Sequence, residues 1–153
     1  MSNIRILIIA HAPLASALKA IGQHIYTECT EQLTSLDISV EEDVKTSTQK
    51  ALEILNSHAK NEWLILTDVF GATPCNIAKS LNQLAPHIVM HIVSGVNVPM
   101  LWSVLCYSHE SLIALTEKAL AGGAQGIIPV EIRKTQQQAF KVNHHDQSHR
   151  QNQ

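Results

Sequence analysis

A chain of 153 residues with 45% hydrophobic and 16% charged residues is long enough for one domain that buries most of its apolar surface. Its net charge of −2 argues against a nucleic-acid partner or an anionic-membrane surface, both of which need a basic excess. No apolar run approaches the roughly 18 residues of a membrane span, so direct membrane insertion is not expected.

The elements follow from the period of the apolar residues. A first strand is expected from about Asn3 to Ala10. Arg5 interrupts its apolar run, so it does not resemble a cleavable signal, and a cytoplasmic location is expected. A helix from Pro13 to about Tyr26 follows, then an alternating strand from Thr34 to Val40. Val44 to His58 carries Val44, Ala51, Leu52, Ile54 and Leu55 on one helical face. Glu62 to Thr67 reads as a buried strand. Thr73 and Pro74 read as N-cap and first residue of a helix reaching Leu84. His87 to Ser94 is expected as strand four, with helices over Pro99 to Tyr107 and Glu110 to Ala121. The run Gly122-Gly123-Ala124-Gln125-Gly126 is expected to end the last helix. Ile127 to Ile132 reads as a fifth strand that Pro129 confines to a sheet edge.

Strands separated by helices imply an α/β fold with parallel pairing and right-handed crossovers, an open doubly wound sheet of order 2-1-3-4. The domain spans residues 1–133. Residues 134–153, rich in Gln, His and Asn, lack periodicity and read as a disordered tail. His144, His145 and His149 in it are a weak metal signal beside a solvated tail. Cys29, Cys75 and Cys106 are odd in number without a CxxC pair, which fits small apolar packing in a reducing compartment. Cys75, just past Pro74, is better read as a packing residue than as a nucleophile. His87 and His91 share a strand face but have no carboxylate or thiol partner, so no metal is expected.

Three strand ends carry the chemistry. His11 follows the first strand. Asp68 follows the third, and begins the segment Asp68-Val69-Phe70-Gly71-Ala72-Thr73-Pro74. In a sheet of order 2-1-3-4 these two ends are neighbours at the switch point where such folds place ligands. An aspartate bonded to one imidazole nitrogen fixes the tautomer and frees the other to attack. The helix start at Thr73 and Pro74, with Gly71 and Ala72 before it, suits an anion. Each residue alone has a plainer role: helix capping for His11, loop capping for Asp68 and N-capping for Thr73. It is the pairing that favours phosphoryl chemistry on imidazole. Asn97, in the turn after strand four, reads as a loop support rather than a substrate contact. Walker, GxGxxG, HExxH and GxSxG motifs are all absent.

Together, His11, Asp68-Val69-Phe70-Gly71-Ala72-Thr73-Pro74 and Gly95-Val96-Asn97-Val98-Pro99-Met100-Leu101 resemble the mannose-type IIA component of the bacterial phosphoenolpyruvate:sugar phosphotransferase system. The resemblance covers roughly residues 3 to 132. It implies that His11 is phosphorylated by the phosphohistidine of HPr and passes the group to a IIB component. It also implies that Asp68 orients His11, and that Thr73 with Gly71 and Ala72 binds the phosphoryl group. A homodimer that exchanges an antiparallel last strand, here Ile127 to Ile132, is implied too. Transfer between imidazoles of similar leaving ability requires no metal or other cofactor. The chain departs from the family by having Ala10, Ala12 and Ala72 where glycines are usual, which predicts stiffer loops. The related dihydroxyacetone kinase phosphocarrier matches the aspartate loop less well. Two other readings are a regulatory module whose phosphorylation state reports on metabolism without feeding transport, and a small-molecule-binding flavodoxin-like domain.

Overall fold

A computed structural model of the protein describes residues 4–26, 31–59 and 62–131. Its elements are β1 (Ile4–His11), α1 (Leu14–Ile25), β2 (Leu33–Ile38), α2 (Val44–Asn56), β3 (Glu62–Thr67), α3 (Thr73–Leu84), β4 (Val89–Ser94), α4 (Val98–Cys106) and α5 (Leu112–Gln125). The sheet has the expected order β2-β1-β3-β4, and every neighbouring pair is parallel.

Alternation along the central strands splits the core into two layers. Ile6, Ile8, Leu64 and Leu66 point one way and pack with Leu18, Leu101, Val104 and Leu115 of α1, α4 and α5. Leu7, Ile9, Trp63 and Ile65 point the other way, against Ala51, Leu55, Ile77 and Leu81 of α2 and α3. These strand residues are fully buried, each contributing about 1.5–3 kcal/mol of transfer free energy. The chain therefore leaves β1 toward one face, into α1, and leaves β3 toward the other, into α3. Between those two strand ends the fold opens a crevice.

Helix α5 does not stop at its glycines, as the sequence suggested. It runs through Gly122 and Gly123 to Gln125, and the reason is close packing. A Cβ on Gly122 would lie 2.4 Å from Ser103 Cβ, one on Gly123 2.8 Å from Met100 Cε, and one on Gly126 2.1 Å from Pro99 Cβ. These glycines let α5 lie directly against α4, a tertiary demand that outweighs their poor helix propensity of about 1 kcal/mol each. His87 lies in the turn before β4, so it does not share a strand face with His91. The His91 imidazole instead bonds the Thr116 hydroxyl at 2.8 Å. Residues 127–131 form no strand here; Ile132, Cys29 and the tail from residue 134 lie outside the described residues. Among the described residues no helix is long and apolar enough to cross a membrane.

Candidate functional site

The register explains why a side chain at the end of β3 reaches β1. Ile9 is level with Thr67, the last residue of β3, so His11 extends two residues beyond the ladder. Its backbone N–H has no β3 carbonyl to meet. Asp68 folds back and takes that place, with Oδ2 accepting the His11 N–H at 2.9 Å. The same oxygen lies 2.7 Å from His11 Nδ1, and Oδ1 accepts the Val69 N–H at 2.8 Å. The carboxylate is thus nearly buried, 8% exposed, while the imidazole is 43% exposed.

Burial alone would push the Asp68 carboxyl pKa up. Hydrogen bonds from the His11 backbone and ring and from the Val69 backbone outweigh it and hold the pKa below its ordinary value. An ionised Asp68 accepts only, so it selects the tautomer with the proton on His11 Nδ1. Nε2 then carries the free lone pair.

His11 shares a pocket with Ile38, Ser39, Val40, Glu42, Val44 and Thr73. Thr73 reaches it because α3 begins there. The structure puts the N-cap one residue earlier than the sequence suggested: Ala72 is the N-cap, Thr73 is the first helical residue, and the cap side chain makes no bond. Thr73 and Cys75 precede the first helical hydrogen bond, from Asn76 N–H to Ala72 C=O at 3.0 Å. Their N–H groups are therefore the open donors of the helix start, with Pro74 contributing none. Donors and helix dipole together favour an anion there.

The loop before α3 holds without strain at Ala72. Ala72 has φ −76° and ψ 171°, ordinary extended backbone. The positive φ falls on Gly71, at 80°, whose carbonyl accepts from Asn76 Nδ2 at 3.0 Å. Gly95 takes φ 93° in the next turn, where Gly95 and Val96 N–H both donate to Thr67 C=O at 2.9 Å. Asn97 caps α4 by accepting the Met100 N–H at 2.8 Å and donating to Gly123 C=O at 3.1 Å. It ties the third loop to α5 and does not line the His11 pocket. Cys75 is 2% exposed and packs inward from α3.

Sequence reasoning missed Asp37 and Asn76. Asp37 Oδ1 accepts the Ser16 N–H at 3.1 Å, so β2 supplies the cap that Pro13, the N-cap of α1, cannot. The register that sets Asp37 beside Ala10 has no local sequence signal. Asn76, five residues past Gly71, could have been suspected as a turn closer from its short amide side chain.

Known proteins share this fold and family. A family profile described as the PTS system fructose IIA component matches residues 5–120. The sorbose-specific EIIA component of the phosphotransferase system from Lacticaseibacillus casei is 28% identical over 99 residues, 65% of this chain and 70% of that one. The fold is similar to a phosphotransferase system component EIIA from Streptococcus agalactiae, with a TM-score of 0.73 at 23% identity over 82% of this chain and 96% of the other. It is equally similar to a mannose/sorbose specific IIA subunit from Enterococcus faecalis, with a TM-score of 0.73 at 20% identity over 88% and 99%.

Proposed function

The chain belongs to the fructose IIA component family of the phosphotransferase system, and from that premise we propose that it carries phosphoryl groups for sugar uptake on His11. HPr loads the histidine and a IIB component unloads it. The observation that carries this reading is the 2.7 Å contact between His11 Nδ1 and Asp68 Oδ2, on a side chain that lines a pocket shared with Thr73 at a helix start.

In this mechanism Nε2 of His11 attacks the phosphorus of the donor phosphohistidine in line. The N–P bond of the donor breaks as the new one forms, and its electron pair returns to the donor imidazole. Nδ1 keeps its proton, so positive charge develops on the His11 ring, and Asp68 stabilises it. The equatorial oxygens take the Thr73 and Cys75 N–H groups and the Thr73 hydroxyl, which bonds no other described residue; Gly71 and Ala72 shape the turn that sets them. Position and fixed donors are the main contributions of the protein. Discharge is the reverse of loading, with the IIB histidine as nucleophile.

A homodimer belongs to the same reading. Ile127, Ile128 and Val130 are 78%, 71% and 89% exposed, and among the described residues β4 is a sheet edge that a strand from a second copy would cover.

The test is a chase. Protein loaded with radioactive phosphoryl groups from phosphoenolpyruvate, enzyme I and HPr, then freed of them, should lose its label to an added IIB component within seconds. Label that persists while IIB stays unlabelled for every mannose-type IIB tried would contradict a role in transport.

A further inference from the structure

Thr73 reaches the His11 pocket through a turn that has little apolar packing to hold it. Val69 and Phe70 are 57% and 79% exposed, and a side chain on Gly71 would meet open space. The Lys79 ammonium lies 5.9 Å from the centre of the Phe70 ring, a weak contact at an exposed site. Polar bonds therefore set the shape of the turn. Ala72 N–H donates to Val69 C=O at 3.2 Å, and Gly71 sits at φ 80°, where a type II turn places its glycine. Glycine takes negative φ as readily, so this one exposed bond fixes the next peptide poorly.

Asn76 supplies the second hold. Its side-chain Nδ2 donates to Gly71 C=O at 3.0 Å, and its backbone N–H donates to Ala72 C=O at 3.0 Å. One residue thus grips two consecutive carbonyls, and Thr73 hangs directly from the second of them. Any residue at this place in α3 makes the backbone bond, but the side-chain bond needs a donor at the length of an asparagine. Alanine would suit the helix better, so Asn76 is a local cost to α3 that its grip on the turn explains.

We propose that Asn76 is a positioning residue for phosphoryl transfer, holding the Gly71 turn so that the Thr73 hydroxyl meets the phosphoryl oxygens. The inference rests on the phosphocarrier reading and adds what aims that hydroxyl. Among the described residues, Thr73 lines the His11 pocket and Asn76 does not, so Asn76 acts through the turn and not by touching the group. Charge spreads over the equatorial oxygens in the transition state, and a donor held in advance stabilises it without reorganising at that moment. A turn with one hold must be ordered first, which slows transfer and leaves the affinity for HPr alone.

The test is steady-state loading of the full chain by phospho-HPr, with thermal unfolding, for Asn76→Ala and Asn82→Ala. Asn82 is exposed and lies further along the same helix, so it controls for the substitution itself. Asn76→Ala should lower kcat by about tenfold with KM for phospho-HPr nearly unchanged, and Asn82→Ala should alter neither. The unfolding midpoint of Asn76→Ala should stay close to that of the unaltered protein, because the helix propensity of alanine offsets one exposed bond. In a Thr73→Val background, which lacks the hydroxyl to be aimed, Asn76→Ala should cost about twofold or less. An unchanged kcat in Asn76→Ala overturns the inference, and so does an undiminished cost beside Thr73→Val, which would give Asn76 its own contact with the phosphoryl group. A rise in KM alone would make it a contact for HPr, and a fall in kcat matched by a large drop in the midpoint would make it a purely structural residue; either also overturns it. Failure of the unaltered protein to accept any phosphoryl group would instead sink the phosphocarrier reading beneath it.

Discussion

Replacing His11 with alanine should remove acid-labile phosphorylation by HPr down to background while leaving the fold intact. The loss is that of a nucleophile, and removing one costs on the order of 10⁶ in turnover. Nothing else in the pocket can take over. Ser39 and Thr73 have neutral hydroxyls without a base, and their esters would be acid-stable. His91, the other imidazole of the described chain held by a side-chain bond, is tied to Thr116 on α5. Stability should change little, because the imidazole is 43% exposed and its backbone N–H still meets Asp68. Intact mass after incubation with phosphoenolpyruvate, enzyme I and HPr reads the result. Full acid-labile labelling of His11→Ala would contradict the assignment.

The second large effect is expected at Asp68. Asp68→Asn keeps the shape but turns one oxygen into a donor. Asparagine can satisfy Nδ1 by donating to it, which moves the imidazole proton to Nε2 and blocks the nucleophilic lone pair. It also removes the negative charge facing the ring as positive charge develops. Loading should slow by about 10²-fold, with little change in KM for HPr. Stability should fall by about 1–3 kcal/mol, since the carboxylate accepts three hydrogen bonds and is nearly buried. That difference has a defined pH dependence. The folded-state pKa of Asp68 lies below its ordinary value, so the stabilisation is complete above about pH 4 and disappears as pH falls through the lowered folded value. Thermal unfolding of the two proteins should differ by a constant amount from neutral pH to about pH 4, and converge below it. A gap that persists undiminished to pH 2 would mean Asp68 is not ionised in the fold.

The sheet was legible because its strands are short apolar runs between helices of clear period. Glu62–Thr67 needs no adjustment, and the order β2-β1-β3-β4 is the one expected of a doubly wound sheet. The meeting of His11 and Asp68 could be anticipated for the same reason, since strand order alone makes their ends neighbours. What could not be read was set by packing between distant segments. The glycines at 122 and 123 look like a helix stop, and only the approach of Ser103 and Met100 shows why they lie inside α5. The N-cap of α3 shifted from Thr73 to Ala72 because Asn76, not the cap residue, closes the Gly71 turn. Asp37 gave no signal at all, because its partner, Ser16, is reached only through the β1–β2 register.

The most direct test is to locate the phosphoryl group on the ring. Protein labelled with ¹⁵N in its histidines and phosphorylated through HPr should show, by nitrogen and phosphorus NMR, a single phosphohistidine at His11 with phosphorus on Nε2 and the proton retained on Nδ1. Phosphorus on Nδ1 of His11, or on any other residue, would contradict the arrangement in which Asp68 holds Nδ1 and frees Nε2 to attack.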